Sequence, residues 1–215
     1  MARLLWFSIV LVTLHQAALA QPTFPVLPDE DYEVYSVVGN YFSRCDESSY
    51  VRQPNKLWLV HSQTEIQSGQ NSWFKFNEMP KQLAWLFLEK KPFHKQADWW
   101  SFLASIDGSQ FTRYELKKRL RFACQETLLW TNDKRAYYFG SENWAARGYE
   151  ALRKDYPDFR SIIQFSKVAF SSDDTKAVCY YSEVSGSFSG EGFLVFLEKK
   201  DGKWGVMAKT SLWVS

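Results

Sequence analysis

The chain has 215 residues, 46% of them hydrophobic and 23% charged, which supplies one full hydrophobic core and excludes a disordered or collagen-like chain. Lys and Arg number 26 against 24 Asp and Glu, so a formal net charge of +2 leaves no basic excess to neutralise a run of phosphates and argues against nucleic acid as a partner. Aromatic residues make up 18%, and each such ring brings a large apolar area that must be buried or used.

Met1 to Ala20 has the form of a secretory signal peptide, with Arg3, an apolar run from Leu4 to about Leu14, and the small-residue site Ala18-Leu19-Ala20. The run is interrupted at His15-Gln16 and falls short of the roughly 20 residues that cross a bilayer, so no transmembrane segment is expected after cleavage. Residues 21–28, punctuated by Pro22, Pro25 and Pro28, are expected to form an extended Pro-rich leader. Residues 29–215 then form a single α+β domain, exported to the periplasm or beyond. In that compartment Cys45, Cys124 and Cys179 allow one intramolecular disulfide at most. Cys45 with Cys124 is the first choice among pairings that stay open. Cys179, inside Ala177-Val178-Cys179-Tyr180-Tyr181, reads as a small buried hydrophobe.

In chain order, Asp29 to Phe42 opens with three acids and carries apolar residues at helical spacing, which predicts an amphipathic helix. Lys56 to His61 reads as a short buried strand, and the polar stretch after it as a loop. Pro80 precedes a second candidate helix, and Asp98 a third that stops at Asp107-Gly108. Thr112 to Phe122 and Leu128 to Phe139 fit strand or irregular structure equally. Ser141 to Tyr156 has a capping serine, helical spacing at Trp144, Tyr149, Leu152 and Tyr156, and Pro157 as a stop. From Ile162 the period changes. Ile162–Phe170, Lys176–Val184, Gly192–Lys199 and Lys203–Val214 are runs of β-favourable residues that read as a four-stranded antiparallel meander. Asp201-Gly202 is the strongest turn signal, because a two-residue type I′ turn needs φ > 0 at both positions. Counting outward pairs Lys200 with Lys203, Leu197 with Val206 and Val195 with Ala208, and puts Phe193, Val195, Leu197, Val206 and Ala208 on one face against the helices.

The words Tyr156-Pro157, IIQFSKVAFSSDDTKAVCYY, GSFSGEGFLVFLEKKDGKWGV and the terminal LWVS, with DYEVYSVV and KLWLVHSQT near the start, resemble an uncharacterised family of secreted bacterial proteins. The resemblance implies export and an α+β fold, and no activity. Where that family often has Cys-Gly-x-x-Cys-Gly, this chain has Ser185-Gly186-Ser187-Phe188-Ser189-Gly190, so no redox role carries over to the loop. The terminal strand wording also resembles cystatin-like domains.

Little chemistry is signalled. His61 and His94 lack metal-ligand spacing and no paired Cys motif occurs, so neither a metal nor another cofactor is expected. Acidic runs at Asp29-Glu30-Asp31 and Asp173-Asp174 read as a helix start and a turn. No G-x-S-x-G elbow is present, and the Gly186–Gly192 loop lacks the Lys-Ser/Thr of a phosphate cradle. Glu65, Glu126, Glu183 and Glu191 are the carboxylates placed in expected loops or strand ends. His61 closes a strand within reach of a distant serine, although a structural role is the simpler reading. The doubled aromatics stand out: Trp73 in Trp73-Phe74-Lys75-Phe76, Trp99-Trp100 and Tyr137-Tyr138 set adjacent rings where both cannot face one core. They are the candidate contacts for a ligand or an envelope protein. The sequence therefore favours a non-enzymatic binding domain, with a small hydrolase acting on envelope carbohydrate or peptide as the alternative.

Overall fold

In a computed structural model of the protein, residues 24–43, 57–65, 97–106, 112–140 and 148–215 are described. The expected helix after Pro80, Trp73, His94, Cys45 and the start of the helix expected at Ser141 lie outside them. The described elements are α1 (Asp29–Ser43), β1 (Leu57–His61), α2 (Ala97–Ser105), β2 (Glu126–Trp130), α3 (Asn132–Phe139), α4 (Gly148–Asp155), β3 (Phe159–Phe165), β4 (Ala169–Phe170), β5 (Lys176–Gly186), β6 (Ser189–Lys200) and β7 (Lys203–Val214). No described helix is long and apolar enough to cross a membrane.

The strands form one sheet in the order β2-β1-β3-β5-β6-β7, with β4 added onto β5. The α+β class and the antiparallel C-terminal meander stand as expected, and β1 pairs in parallel with both β2 and β3. Because side chains alternate along a strand, each face has its own core. On one face Trp58, Val60, Ile163, Phe165, Cys179, Tyr181, Phe193, Val195 and Leu197 pack against Val34, Tyr35, Val38 and Phe42 of α1. Rings stack across this layer, Tyr35 on Phe165 at 4.2 Å and Phe42 on Tyr181 at 4.1 Å between centroids. The opposite face is divided. Trp99, Phe102 and Leu103 of α2 cover Val178, Tyr180, Leu194 and Phe196, whereas Tyr138 of α3 and Leu152 of α4 cover Leu59, Trp130, Phe159 and Ile162.

Asp31, fully buried at the start of α1, clamps that helix to the sheet by accepting from Lys167 Nζ at 2.6 Å and from the Val168 N–H at 2.8 Å. Tyr35 OH adds a bond to the Ser166 carbonyl at 2.6 Å. Gly39 sits under the Phe122 ring, where a Cβ would meet a ring carbon at 2.0 Å, which explains a glycine inside α1.

Several expectations need correction. The end of the leader belongs to the domain: Leu27 is buried in the α1 core and donates to the Glu115 carbonyl at 3.0 Å. Of the stretch after His61 expected as a loop, Ser62 to Thr64 are tied down by bonds to residues 114–116, and the part beyond residue 65 lies outside the described residues. Leu128 to Phe139 resolves into a strand followed by a helix, with Thr131 as the N-cap. The β6–β7 turn has Asp201 at φ 51° and Gly202 at φ 74°, and Lys200 pairs with Lys203 and Leu197 with Val206 as counted. A bulge then places Met207 between partners, so Ala208 faces Phe196 rather than Val195, and Ala208 packs on the α2 side of the sheet. Cys124 is disulfide-bonded, and Cys179 is a free thiol in the core whose pKa is pushed up by burial.

Candidate functional site

The parallel pairing of β1 with β2 and β3 brings three strand ends together, and the chain chemistry collects there. His61 is the last residue of β1, in register with Trp130 at the end of β2. Beyond it the backbone leaves β2: Ser62 N–H donates to the Trp130 carbonyl at 2.9 Å, Thr64 N–H to the Tyr114 carbonyl at 2.9 Å, and Glu65 N–H to the Phe165 carbonyl at 2.7 Å. Strand alternation keeps His61, Gln63 and Glu65 on the face of Leu59, beneath α3. Gln164 of β3 joins them by donating Nε2–H to Glu65 Oε2 at 3.2 Å. Asn132, the first residue of α3, donates Nδ2–H to Gln63 Oε1 at 2.7 Å. Arg135 lies in the next positions of α3, and Arg113 precedes the Tyr114 that pairs with Thr64.

His61 is 5% exposed. Its Nδ1 lies 3.1 Å from the Gln63 carbonyl oxygen, which only accepts, so Nδ1 carries the ring proton and Nε2 is a bare lone pair. Nε2 is buried with no hydrogen-bond partner; the flanking Asn132 amide is engaged by Gln63. Burial lowers the His61 pKa, and the Arg135 and Arg113 guanidiniums lower it further, against the opposing influence of the Gln63 carbonyl and the Asn132 side chain. The ring is therefore neutral at pH 7. Burial acts oppositely on Glu65 and raises its carboxyl pKa, with Arg135 and Arg113 pulling it back. The arrangement sets a buried acceptor on His61 near the half-buried carboxylate of Glu65, with the charges of Arg135 and Arg113 felt by both groups.

The expected aromatic contacts fare differently. Each described doublet splits, one ring in and one out, as helical geometry requires. Trp99 is fully buried under α2 and Tyr138 is 5% exposed, donating to Asp155 Oδ2 at 2.6 Å, so neither is presented to a ligand. Trp100 and Tyr137 are 42% and 49% exposed, on separate helices over different apolar clusters. The structure does not gather them into one described surface.

Among the carboxylates, Glu183 and Glu191 are directly opposite each other on β5 and β6. Both oxygens of Glu183 are engaged, by Ser161 Oγ at 2.5 Å and Tyr181 OH at 3.1 Å, with Arg160 at 3.6 Å. Glu126 is exposed at an open basin of about 670 Å³ shared with Lys118, Arg119 and Arg121. Lys118 is paired with Asp29 and Arg119 with Thr127 Oγ1 there. Asp173 accepts from Ser171 Oγ and from Thr175 N–H and Oγ1, which holds its pKa at about 2 as a turn residue. Ser182, opposite Gln164, has a buried hydroxyl without a partner, but β3 separates it from β1, so Ser182 and His61 form no nucleophile–base pair. No group of three or more His, Cys, Asp and Glu among the described residues is placed to hold a metal ion.

Gln164, Asn132, Arg113 and Arg135 were not marked by any motif, since only the parallel pairing assembles them. No protein-family model matches this chain, and neither does any curated protein or solved structure.

Proposed function

We propose that the protein is an exported binding domain without catalytic activity that holds a small hydrogen-bonding ligand at the polar cluster between α3 and the ends of β1 and β3. The observation that carries this reading is the bare Nε2 of His61, buried and without a partner. A buried acceptor left unsatisfied costs on the order of 1–3 kcal/mol, and a donor supplied by a ligand recovers that loss. The position also suits binding, because the carboxyl ends of parallel strands form a natural crevice. Export rests on the composition of the first twenty residues and on the resemblance to secreted bacterial proteins.

The alternative hydrolase draws on the register of Glu183 with Glu191, since glycoside hydrolysis uses two carboxylates. The engagement of both Glu183 oxygens weighs against it. A test uses protein with isotopically labelled histidine and a panel of monosaccharides, sugar acids, sugar phosphates and amino acids, alongside chromogenic glycoside and peptide substrates. Saturable shifts of the His61 ring signals by at least one panel member, without turnover, are expected. A panel that leaves the ring signals unmoved overturns the reading.

A further inference from the structure

We infer that the open basin at the start of β2 is a second binding site, for a phosphate monoester that carries an amine, with the phosphate on Arg119 and Arg121 and the amine toward Glu126. The basin has a volume of about 670 Å³ and is lined by Lys118, Arg119, Arg121, Gln125 and Glu126 among others. That volume suits a small ligand, and the charged lining asks for a charged one. The site is separate from the cluster at His61, since Glu126 opens β2 and His61 is in register with Trp130 at the other end of that strand.

The run Lys117-Lys118-Arg119-Leu120-Arg121-Phe122 supplies the cations in a fixed frame. Leu120 and Phe122 are buried in the α1 core, which leaves Arg119 and Arg121 exposed on either side of Leu120. Tyr32 OH accepts from the Lys117 and Lys118 N–H groups at 2.8 and 3.1 Å, and Asn40 Oδ1 from the Ala123 N–H at 2.7 Å, so α1 holds both ends of the segment. Lys118 is neutralised by Asp29 at 2.5 Å and Lys117 by Glu115 at 2.8 Å. Arg119 commits its Nε–H to Thr127 Oγ1 at 3.3 Å and keeps its Nη donors. Among the described residues no carboxylate is ion-paired with Arg119 or Arg121, and no cation with Glu126.

Two guanidinium forks from successive outward positions need acceptors in more than one plane. A tetrahedral phosphate monoester with its terminal oxygens offers them, and a planar carboxylate does not. The charges left uncompensated in the basin are Arg119 and Arg121 against Glu126, which complement a phosphate dianion joined to one ammonium. Glu126 repels a bare phosphate and attracts the ammonium.

The probes are O-phosphoethanolamine, inorganic phosphate and the diester glycerophosphoethanolamine, each titrated by calorimetry into the full chain at pH 7.5. O-phosphoethanolamine is expected to bind saturably and about tenfold tighter than the other two. Arg121→Gln is expected to weaken it about tenfold, and Glu126→Gln to bring O-phosphoethanolamine and inorganic phosphate to equal affinity. Both substitutions fall at exposed positions, and an unchanged far-UV spectrum shows that the fold is kept. The inference is overturned if O-phosphoethanolamine does not saturate, or if inorganic phosphate or the diester binds the native protein as tightly. Undiminished affinity in Arg121→Gln, or a preference that survives Glu126→Gln, overturns it equally. Each of these outcomes leaves the reading of the His61 cluster in place, which its own ring signals test.

Discussion

At the scale of single residues, His61 shows how a common side chain acquires a particular state from its surroundings. The Gln63 carbonyl selects the tautomer, burial opposes the charge, and two arginines add to that opposition. The shift has a stability consequence with a definite sign. In the unfolded chain the imidazole takes up a proton near the ordinary value of about 6.5. The folded protein takes it up only at lower pH, so between these points the unfolded state binds more protons and stability falls as pH falls. Denaturant unfolding at pH 7.5 and pH 5 is expected to show a larger loss of stability for the native protein than for His61→Gln. Equal losses in the two proteins show that His61 titrates in the folded state as it does in the unfolded one. Sequence reading flagged His61 for its place at a strand end. It gave no sign of the neutral, acceptor-only state, which depends on Gln63, on α3 and on the crossing segment near Tyr114.

The elements were the most legible level where the signal was local. Three acids followed by helical spacing define α1, and Asp201-Gly202 defines the β6–β7 turn, because both depend on neighbours in sequence. The bulge at Met207 was not legible, since nothing in Val206-Met207-Ala208 departs from alternation; the correction comes from how β7 must follow β6 across two cores. The helix α3 was harder still, since Leu128 to Phe139 fits strand or irregular structure equally and its short amphipathic face is completed by the contact of Tyr138 with β1, β2 and β3, whereas α4 lies within the helix expected over Ser141 to Tyr156. The turn can be tested directly. Gly202 has φ 74° and open space around its α-carbon, so a substitution there acts through backbone strain and not through a clash. Gly202→Val is expected to cost about 1–2 kcal/mol or more in urea unfolding, and Gly202→Asn distinctly less, because asparagine tolerates the left-handed region. Equal costs for the two variants contradict a strain origin.

For the whole molecule, one sheet carries three apolar clusters, and both of its faces are closed by helices of different origin in the chain. Compositional reading anticipated the α+β class, and it divided the aromatics into core rings and doubled rings. What it lacked was the parallel placement of β1 between β2 and β3, which joins segments some hundred residues apart and is invisible to any short window. That placement also brings Gln63, Glu65, Asn132 and Gln164 into one hydrogen-bonded cluster beside His61. The clamp at Asp31 ties the α1 layer to the sheet through Lys167 and Val168. Asp31→Ala removes the acceptor of a part-buried ammonium and leaves the buried Val168 N–H without its carboxylate partner, and is expected to destabilise the protein by about 2–3 kcal/mol with far-UV and tryptophan signals still coincident. Separate transitions for the two signals show that the α1 layer unfolds independently of the opposite face.

The β7 bulges have an effect beyond their local register. Among the described strands β7 closes the sheet order, and its outer backbone edge is twelve residues long, enough to recruit a strand from a neighbouring molecule. Bulges beside Phe196 and beside Gly192 interrupt that edge twice, and Lys203 and Lys209 put charge along it. An incoming strand finds no uninterrupted ladder to copy, so the irregular strand acts as the protein's guard against edge-to-edge association at high concentration.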